Sequence, residues 1–346
     1  MSGFTLGGVG LEIVRGCNFR CKMCPSPSAH PGLPDFMTRE TAELIVERMN
    51  EAEHIASIWS FGLGEPCSHP DIYELFRIFC RIKRGQDTPV LLYTNASCLT
   101  GEAAYAILEL PWVTQLYISF DGYGTKESYE YLRGAHFHEV IDNVRNFMIM
   151  AKRKKPGLYI GTSSIYPNPK FIPEDKRGGN FSQAEALEAM KQIFEPMGVH
   201  VGMRALHKYN AFYTPELYKD RPKEEWPTLP VLGGCRYLEE HSFVLAWDGK
   251  VRPCHDAIND DFVIGDLRRN SFREILSDEL FLRLRHSLRL DRRCDYRECE
   301  NCDKYSFGED IRAAANYWKP LLESGEISDP EERTYLSAIV KAGDSV

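Results

Sequence analysis

The sequence predicts an α/β protein, a partial (β/α)6 barrel followed by a smaller domain with a β-hairpin and helices. Short apolar runs alternate with amphipathic segments six times over about 200 residues, which is typical of parallel strands joined by right-handed crossovers. A polar loop follows the carboxyl end of several of these runs, as expected where parallel barrel strands all end at the same face of the barrel. Later in the chain, Asp248-Gly249 separates two further apolar runs, which indicates a hairpin.

The six barrel strands are predicted from short apolar runs bounded by turn residues, and the helices between them from apolar residues at helical spacing. The strands are predicted over Val9–Val14, Ile55–Phe61, Pro89–Thr94, Gln115–Phe120, Leu158–Ile165 and Val199–Arg204. The helices are predicted over residues 38–53, 71–84, 102–110, 126–133, 137–155 and 183–196. Thr38 is a candidate N-cap, because its hydroxyl can accept a hydrogen bond from the first helical turn. Prolines exclude regular structure from the loop between Pro25 and Pro34.

The same pattern divides the chain into four parts. These are the barrel (1–207), a connecting segment (208–234), a small domain (235–310) and C-terminal helices (311–346). The connecting segment is rich in proline and aromatic residues, and we expect it to cover the barrel mouth. Its aromatic residues could contact a substrate, but aromatic residues in such a segment more commonly anchor it by packing.

The small domain begins with the hairpin and continues with helices. Apolar runs at Ser242–Ala246 and Val251–Cys254 flank the Asp-Gly turn, and Phe262–Ile264 is a further short run that ends at Gly265. Helices are predicted over residues 272–288, 311–322 and 330–342, the last two packed on the outside.

Composition excludes several classes of protein. The net charge of −8 disfavours nucleic acid as a partner, because phosphate binding needs a basic surface. The sequence has neither the pattern of a signal peptide nor an apolar stretch of about 18 residues, so we expect no membrane partner. Eleven cysteines in a chain without a secretory signal indicate a reducing, cytoplasmic compartment and metal binding.

A cysteine motif follows the first predicted strand. Cys17, Cys21 and Cys24 have C-x3-C-x2-C spacing, which is too close for all three to form disulfides. A four-iron cluster takes four thiolates when it is fully coordinated, so three would leave one iron open for a ligand. The alternatives are thiols that only cap a turn, or half of a zinc site.

With Gly62-Leu63-Gly64-Glu65-Pro66 after the second strand, the chain resembles the radical S-adenosylmethionine (radical SAM) superfamily. The cysteine spacing matches the cluster motif of that family, and Gly62–Pro66 looks like its Gly-Gly-Glu-Pro turn with Leu63 between the glycines. The resemblance implies a TIM-like partial barrel, a 4Fe–4S cluster on the three cysteines and S-adenosylmethionine on the open iron. It also implies an external one-electron reductant such as flavodoxin or ferredoxin.

The resemblance further implies which residues contact S-adenosylmethionine. Glu65 would accept a hydrogen bond from the ammonium group of S-adenosylmethionine, and Arg133 would pair with its carboxylate. Ser119 would reach the ribose or the methionine part. Met23 replaces the aromatic residue that often precedes the third cysteine, and we expect an apolar contact with adenine there. The complete expected set is Met23, Gly62, Gly64, Glu65, Ser119, Arg133, Met203 and Arg204.

The second group of cysteines resembles the SPASM and twitch domains that follow many such barrels. The start of that pattern is matched by Cys235, Gly249 after thirteen residues, and Cys254 after four more. The second half of the pattern has too few cysteines here for two auxiliary clusters. One auxiliary 4Fe–4S cluster is therefore expected, and a zinc site is the rival. The expected ligands are Cys235, Cys254, Cys299 and Cys302, with Cys294 spare or replacing one of them.

The resemblance implies reductive cleavage of S-adenosylmethionine to a 5′-deoxyadenosyl radical, which takes a hydrogen atom from the substrate. A fully ligated auxiliary cluster would accept or relay an electron, as in an aminocyclitol dehydrogenase of the twitch group. Epimerases of the superfamily instead return a hydrogen atom from a thiol, for which Cys294 and Cys67 are candidates. A buried thiol without a role is the plainer interpretation of each.

Three functions remain open at this point. The first is a radical SAM enzyme acting on a small hydroxylated natural-product intermediate, by dehydrogenation, epimerisation or a related redox change. Sixteen residues precede Cys17, so we expect no fused leader-binding domain, which favours this small substrate. The second is a radical peptide maturase, and the third is a non-enzymatic iron–sulfur or zinc protein.

Overall fold

Strand and helix alternate along the barrel in the computed structural model. It describes residues 3–26, 34–60, 62–167, 172–179, 181–205, 234–257, 262–300 and 311–345, with Gly32, Pro169 and Cys302. The strands are β1 (Thr5–Leu11), β2 (Val14–Arg15), β3 (Asp35–Phe36), β4 (His54–Ser60), β5 (Val90–Thr94), β6 (Gln115–Ile118), β7 (Tyr159–Thr162), β8 (Ser164–Tyr166), β9 (Met203–Ala205), β10 (Phe243–Leu245), β11 (Lys250–Arg252) and β12 (Gly265–Asp266). The helices are α1 (Arg39–Met49), α2 (Ile72–Phe79), α3 (Gly101–Glu109), α4 (Lys126–Arg133), α5 (Phe137–Lys154), α6 (Gln183–Phe194), α7 (Arg236–Glu239), α8 (Phe272–Ser277), α9 (Glu279–Arg289), α10 (Ile311–Ser324) and α11 (Pro330–Asp344).

The barrel strands form one parallel sheet, which confirms the predicted fold class. Within the described residues the strand order is β12-β11-β10-β1-β4-β5-β6-β7, and β1, β4, β5, β6 and β7 pair in parallel. The sixth predicted strand lies beside β7 and β8, because His200 forms a parallel bridge with Gly161 of β7 and β9 pairs in parallel with β8. Each crossover carries a helix, as a parallel sheet requires.

The C-terminal hairpin continues the barrel sheet, which the sequence did not predict. β10 pairs in parallel with β1, with Val9 opposite Phe243 and Leu11 opposite Leu245. β11 then pairs antiparallel with β10, and β12 with β11. The barrel and the hairpin therefore share one hydrogen-bonded sheet.

Three predicted elements are divided in the structure, and one of them, the predicted strand Leu158–Ile165, is split into β7 and β8, which lie in different sheets. The predicted strand Val9–Val14 begins earlier and is interrupted after Leu11, since β2 turns away to pair with β3. The predicted helix 272–288 is two helices, because Asp278 has extended backbone and its side chain caps α9 through the Leu280 amide at 2.8 Å. The N-cap role of Thr38 is confirmed, since its hydroxyl accepts from the Thr41 amide at 3.2 Å.

Alternation along the strands separates an apolar outer face from a more polar interior. Ile58, Leu92 and Leu116 are buried beneath the helices that cover the sheet. The interior face carries a row of aromatic rings, with Tyr93 stacked on Tyr117 at 5.0 Å between ring centroids. The apolar layer supplies the main folding energy, at about 25 cal/mol per Å² of apolar surface buried.

The helices α10 and α11 form a separate apolar cluster beside the C-terminal domain, centred on Trp318, Leu322 and Leu336. The connecting segment predicted at 208–234 lies outside the described residues except for Gly234. Of the helices that the structure describes, none has the length and apolar character needed to cross a membrane.

Candidate active site between the barrel and the C-terminal domain

The three cysteines of the first motif lie together at the carboxyl end of the barrel. Cys17, Cys21 and Cys24 line a cavity of about 370 Å³. The loop that carries them is anchored at both ends, because the Gly16 amide donates to the Leu63 carbonyl at 3.1 Å and the Lys22 amide to the Leu132 carbonyl at 2.9 Å. The loop therefore presents all three thiols to the same space.

The thiols have the surroundings of cluster ligands. The Phe19 amide lies 3.4 Å from Cys17 Sγ and the Ser26 amide 3.4 Å from Cys24 Sγ, and such N–H donors stabilise and tune the sulfurs of iron–sulfur centres. Burial and the neighbouring Glu65 carboxylate raise the pKa of Cys17 to about 12. A bound cation is therefore needed to hold these groups as thiolates, and a cluster on three cysteines fits the donor set.

The Gly62–Pro66 turn lies directly against the cysteine loop. A Cβ at Gly64 would lie 2.1 Å from the Val14 carbonyl oxygen, so only glycine allows the two backbones to approach. A Cβ at Gly62 would meet the Glu12 side chain at 2.5 Å. Both glycines of the predicted motif are therefore required by packing, and both line the cavity.

Glu65 is buried at the centre of the turn and lines the cavity. Its oxygens accept from the Thr94 hydroxyl at 2.6 Å, the Asn95 amide at 2.7 Å and the Cys67 amide at 3.0 Å. Burial raises the pKa of Glu65 despite these donors. The three donors hold the carboxylate in one orientation at the cavity wall.

Arg133 and Ser119 also line the cavity and contact each other. Arg133 Nη1 lies 3.0 Å from Asp121 Oδ2, and Nη2 donates to the Ser119 carbonyl. Its guanidinium also lies 5.8 Å from the centre of the Phe19 ring. The arginine expected to pair with a ligand carboxylate thus has a carboxylate partner from the protein, Asp121, whose only signal in the sequence is its place after a strand.

The remaining expected contacts divide into two groups. Met23 is buried and lines the cavity, as expected for a contact with adenine. Met203 lies in β9 opposite Ser164 and is not among the described residues that line the cavity. Arg204 lies beside it in β9, and its side chain is outside the described part of the structure.

The C-terminal domain supplies one wall of the same cavity, which sequence reasoning missed. Tyr237, Arg252, His255 and Asp256 line it together with the barrel residue Trp59. The rings of Trp59 and His255 lie 4.5 Å apart and those of Tyr237 and His255 5.1 Å apart. The one available signal was that His255 and Asp256 directly follow the cysteine Cys254.

The four cysteines expected to hold the auxiliary cluster meet in a second, smaller cavity. They are Cys235, Cys254, Cys299 and Cys302. Burial, followed by the neighbouring Cys302, raises the pKa of Cys235 to about 12. Among the described residues, no three His, Cys, Asp or Glu side chains are placed to hold a single metal ion. Tyr237 and Asp256 line both cavities, so the two sites share a wall.

The two candidate hydrogen-donor thiols lie elsewhere. Cys67 is buried under the turn and Cys294 is exposed in the short 3-10 helix Arg293–Asp295. Among the described residues that line either cavity, neither thiol is present. Cys67 nevertheless lies next to Glu65, since burial and the Glu65 carboxylate raise the pKa of its thiol.

Two family models match the parts of the chain that carry these cavities. Residues 11–155 match a model described as the radical SAM superfamily. Residues 235–303 match the SPASM model, described as an iron–sulfur cluster-binding domain. The matches cover the cysteine loop, the Gly62–Pro66 turn and the four C-terminal cysteines.

Individual proteins are similar over most of the chain but at low identity. The tungsten-containing aldehyde ferredoxin oxidoreductase cofactor-modifying protein of Pyrococcus furiosus is 22% identical over 321 residues, 84% of this chain and 86% of that protein. The structure of anSMEcpe with bound AdoMet and Cp18Cys peptide matches with a TM-score of 0.53 and 16% identity, covering 99% of both chains. BtrN in complex with AdoMet and 2-DOIA matches with a TM-score of 0.51 and 14% identity, covering 86% of this chain and 93% of BtrN.

Proposed function

Because this chain is a radical SAM enzyme with a C-terminal SPASM domain, we propose that it removes a hydrogen atom from a small hydroxylated natural-product intermediate. A sugar, an aminocyclitol or a nucleoside is the substrate class, and the outcome is dehydrogenation, epimerisation or a related redox change. The observation that carries the proposal is the common cavity, where the cysteine loop, the Glu65 turn and the C-terminal wall face one another.

The cysteine loop holds the first cofactor pair. Cys17, Cys21 and Cys24 supply three ligands to a 4Fe–4S cluster, and the fourth iron is left for S-adenosylmethionine. When bound, these groups supply one-electron cleavage to a 5′-deoxyadenosyl radical that takes a hydrogen atom from the substrate. The protein contributes orientation and exclusion of water around the cleaved bond.

Two charged residues of the mouth orient the methionine part of S-adenosylmethionine. Glu65 offers its carboxylate to the ammonium group from an orientation fixed by Thr94 and the Asn95 amide. Arg133 offers its guanidinium to the carboxylate while it stays paired with Asp121. Met23 supports adenine by an apolar contact.

The auxiliary site has a structural and redox role. Cys235, Cys254, Cys299 and Cys302 complete the ligand set of a four-iron cluster, so no iron there is left for substrate. The substrate therefore binds in the larger cavity, against the wall that Tyr237 and Asp256 share with the auxiliary site.

The lining of the cavity supports a small polar substrate. Hydroxyl, carboxylate, guanidinium and imidazole groups from Ser163, Asp256, Arg252 and His255 face a space whose rim includes Trp59 and Tyr93. BtrN, with its bound 2-DOIA, is a structural relative in keeping with this class.

Anaerobic reconstitution followed by reduction tests the proposal. We expect about eight iron per chain from two four-iron clusters, and release of 5′-deoxyadenosine from S-adenosylmethionine after addition of dithionite. With deuterated sugars, aminocyclitols and nucleosides, we expect deuterium in 5′-deoxyadenosine for the true substrate. A chain that retains zinc, or releases no 5′-deoxyadenosine, would contradict the proposal.

A peptide substrate is the second candidate, favoured by the peptide-bound structure of anSMEcpe. The same deuterium assay with peptides encoded near the gene separates the two candidates. Transfer of deuterium from a peptide, and from none of the small metabolites, would establish a peptide maturase instead.

A further inference from the structure

Glu12 is a buried carboxylate on the wall of the active cavity, directly after β1. Removing a carboxylate from water is unfavourable unless cations and N–H donors replace its hydration. Burial raises the pKa of Glu12, but the guanidinium groups of Arg252 and Arg15 outweigh it and hold the pKa below its ordinary value. The group is therefore a charged anchor at neutral pH.

One oxygen of Glu12 holds the barrel side of the cavity. Oε1 accepts from the Leu63 amide at 3.0 Å and from Arg15 Nη1 at 3.1 Å. Leu63 lies between the two glycines of the turn that faces the cysteine loop. The space above Gly62 is filled by the Glu12 side chain, so the turn and the carboxylate have complementary shapes.

The other oxygen holds the C-terminal side. Oε2 accepts from Arg252 Nη2 in a buried ion pair. Arg252 uses Nη1 to donate to the Ala257 carbonyl at 3.1 Å, which fixes the loop that contains Cys254, His255 and Asp256. The amide of Glu12 also donates to the Leu245 carbonyl in β10 at 3.0 Å.

We propose that Glu12 is a positioning residue that fixes the Gly62–Pro66 turn relative to the Cys254–Ala257 loop, so that the S-adenosylmethionine site and the substrate-facing wall keep one geometry. The identity of the ligand rests on the proposed function. Glu12 acts through Leu63 and Arg252 and is not itself assigned to the reaction.

Hydrogen exchange tests the positioning in the full chain before S-adenosylmethionine is added. Glu12→Gln retains an acceptor oxygen but removes the charge between two guanidinium groups. We expect faster amide exchange in peptides that contain residues 62–66 and 254–257 than in the wild type. Glu74→Gln is the matched control, because Glu74 accepts two hydrogen bonds from Arg77 within α2 and lines neither cavity, and we expect no change at those peptides.

The affinity for S-adenosylmethionine gives a second readout. Binding to the reconstituted holoenzyme is followed by the change in the electron paramagnetic resonance spectrum of the reduced cluster. We expect Glu12→Gln to weaken binding at least about tenfold, equivalent to about 1.4 kcal/mol, with iron content unchanged. Unchanged affinity and exchange, or equal losses in Glu12→Gln and Glu74→Gln, would overturn the proposal.

Arg252→Lys covers the case in which Glu12→Gln does not fold. Lysine retains the charge but cannot donate to Glu12 and Ala257 together as the guanidinium fork does. We expect faster exchange at residues 254–257 and at the Leu63 amide, and unchanged exchange at Leu63 would contradict the coupling. A wild type that binds no S-adenosylmethionine would defeat the proposed function, whereas the exchange comparison would still test Glu12.

Discussion

At the scale of single residues, the barrel mouth is held by hydrogen bonds that the protein makes to itself. Glu65 has three N–H and O–H donors, and Arg133 has Asp121 as its partner. Such preorganised groups lose little freedom when a ligand arrives, which strengthens binding. The carboxylate of S-adenosylmethionine is therefore expected to join the Arg133–Asp121 ion pair, and its ammonium group to join the hydrogen bonds of Glu65.

Gly64→Ala tests the contact between the turn and the cysteine loop. The added methyl would lie 2.1 Å from the Val14 carbonyl and 2.7 Å from that of Gly16, and neither backbone atom can rotate away. Overpacking of this kind costs about 1–3 kcal/mol. We expect binding of S-adenosylmethionine to the holoenzyme to weaken at least about tenfold in equilibrium dialysis.

Gly157→Ala is the matched control for this substitution. A methyl at Gly157 would have no heavy atom among the described residues within 4 Å, so we expect unchanged binding. Equal affinity of Gly64→Ala and the wild type would show that the close approach is not needed.

At the scale of elements, α9 joins three parts of the C-terminal domain. Arg289 near its end donates from Nε and Nη2 to Glu239 in α7, at 2.8 and 2.6 Å, and from Nη1 to Glu332 in α11 at 2.7 Å. Its guanidinium also lies 5.5 Å from the Trp318 ring of α10. Since α7 directly follows Cys235, the terminal helices are linked to the ligand set of the auxiliary site.

Arg289→Met tests this link. Removing the shared cation leaves two buried carboxylates, and breaking buried pairs of this kind costs about 3–5 kcal/mol. We expect a lower midpoint of thermal unfolding by circular dichroism and about four fewer iron atoms per chain after reconstitution, because one four-iron cluster is lost.

Arg283→Met is the control on the same helix. Arg283 is exposed and its pair with Glu279 spans 3.9 Å, so we expect a change of less than about 1 kcal/mol. Full iron content in Arg289→Met would show that the terminal helices do not support the auxiliary site.

At the scale of the whole molecule, the barrel and the SPASM domain are one sheet. β10 covers the edge of β1 that the barrel helices leave open, and Tyr237, Arg252 and Asp256 close the cavity from that side. An uncovered edge strand is a template for association with other chains. The C-terminal domain thus protects the barrel in addition to holding a cluster.

A chain ending at residue 207 tests this protection. We expect it to form large aggregates in size-exclusion chromatography, since the edge of β1 and its apolar neighbours become exposed. Replacing Cys235, Cys254, Cys299 and Cys302 with serine in the full chain removes the auxiliary cluster but keeps β10, and we expect this variant to elute without aggregates. A monomeric truncated chain that binds S-adenosylmethionine would contradict the role of β10.

The sequence predicted features that depend on local pattern. Strand and helix periodicity located nearly every barrel element, and fixed spacing identified the turn at Glu65 and the cysteines that the structure groups into two sites. It did not predict the pairing of β1 with β10, because no local signal connects strands so distant in the chain. Glu12 and His255 were missed for the same reason, since each gains its place from residues of the other domain.

The pairing of Val9 with Phe243 also sets a delay during synthesis. These residues are separated by 234 positions, the difference of the two numbers, and chains grow at about 5–20 residues per second. The outer edge of β1 therefore waits roughly 12–47 s after its own translation for the strand that completes it. Over that interval the edge of β1 stays open to pairing with other chains, and a slow codon near Phe243 would prolong the exposure.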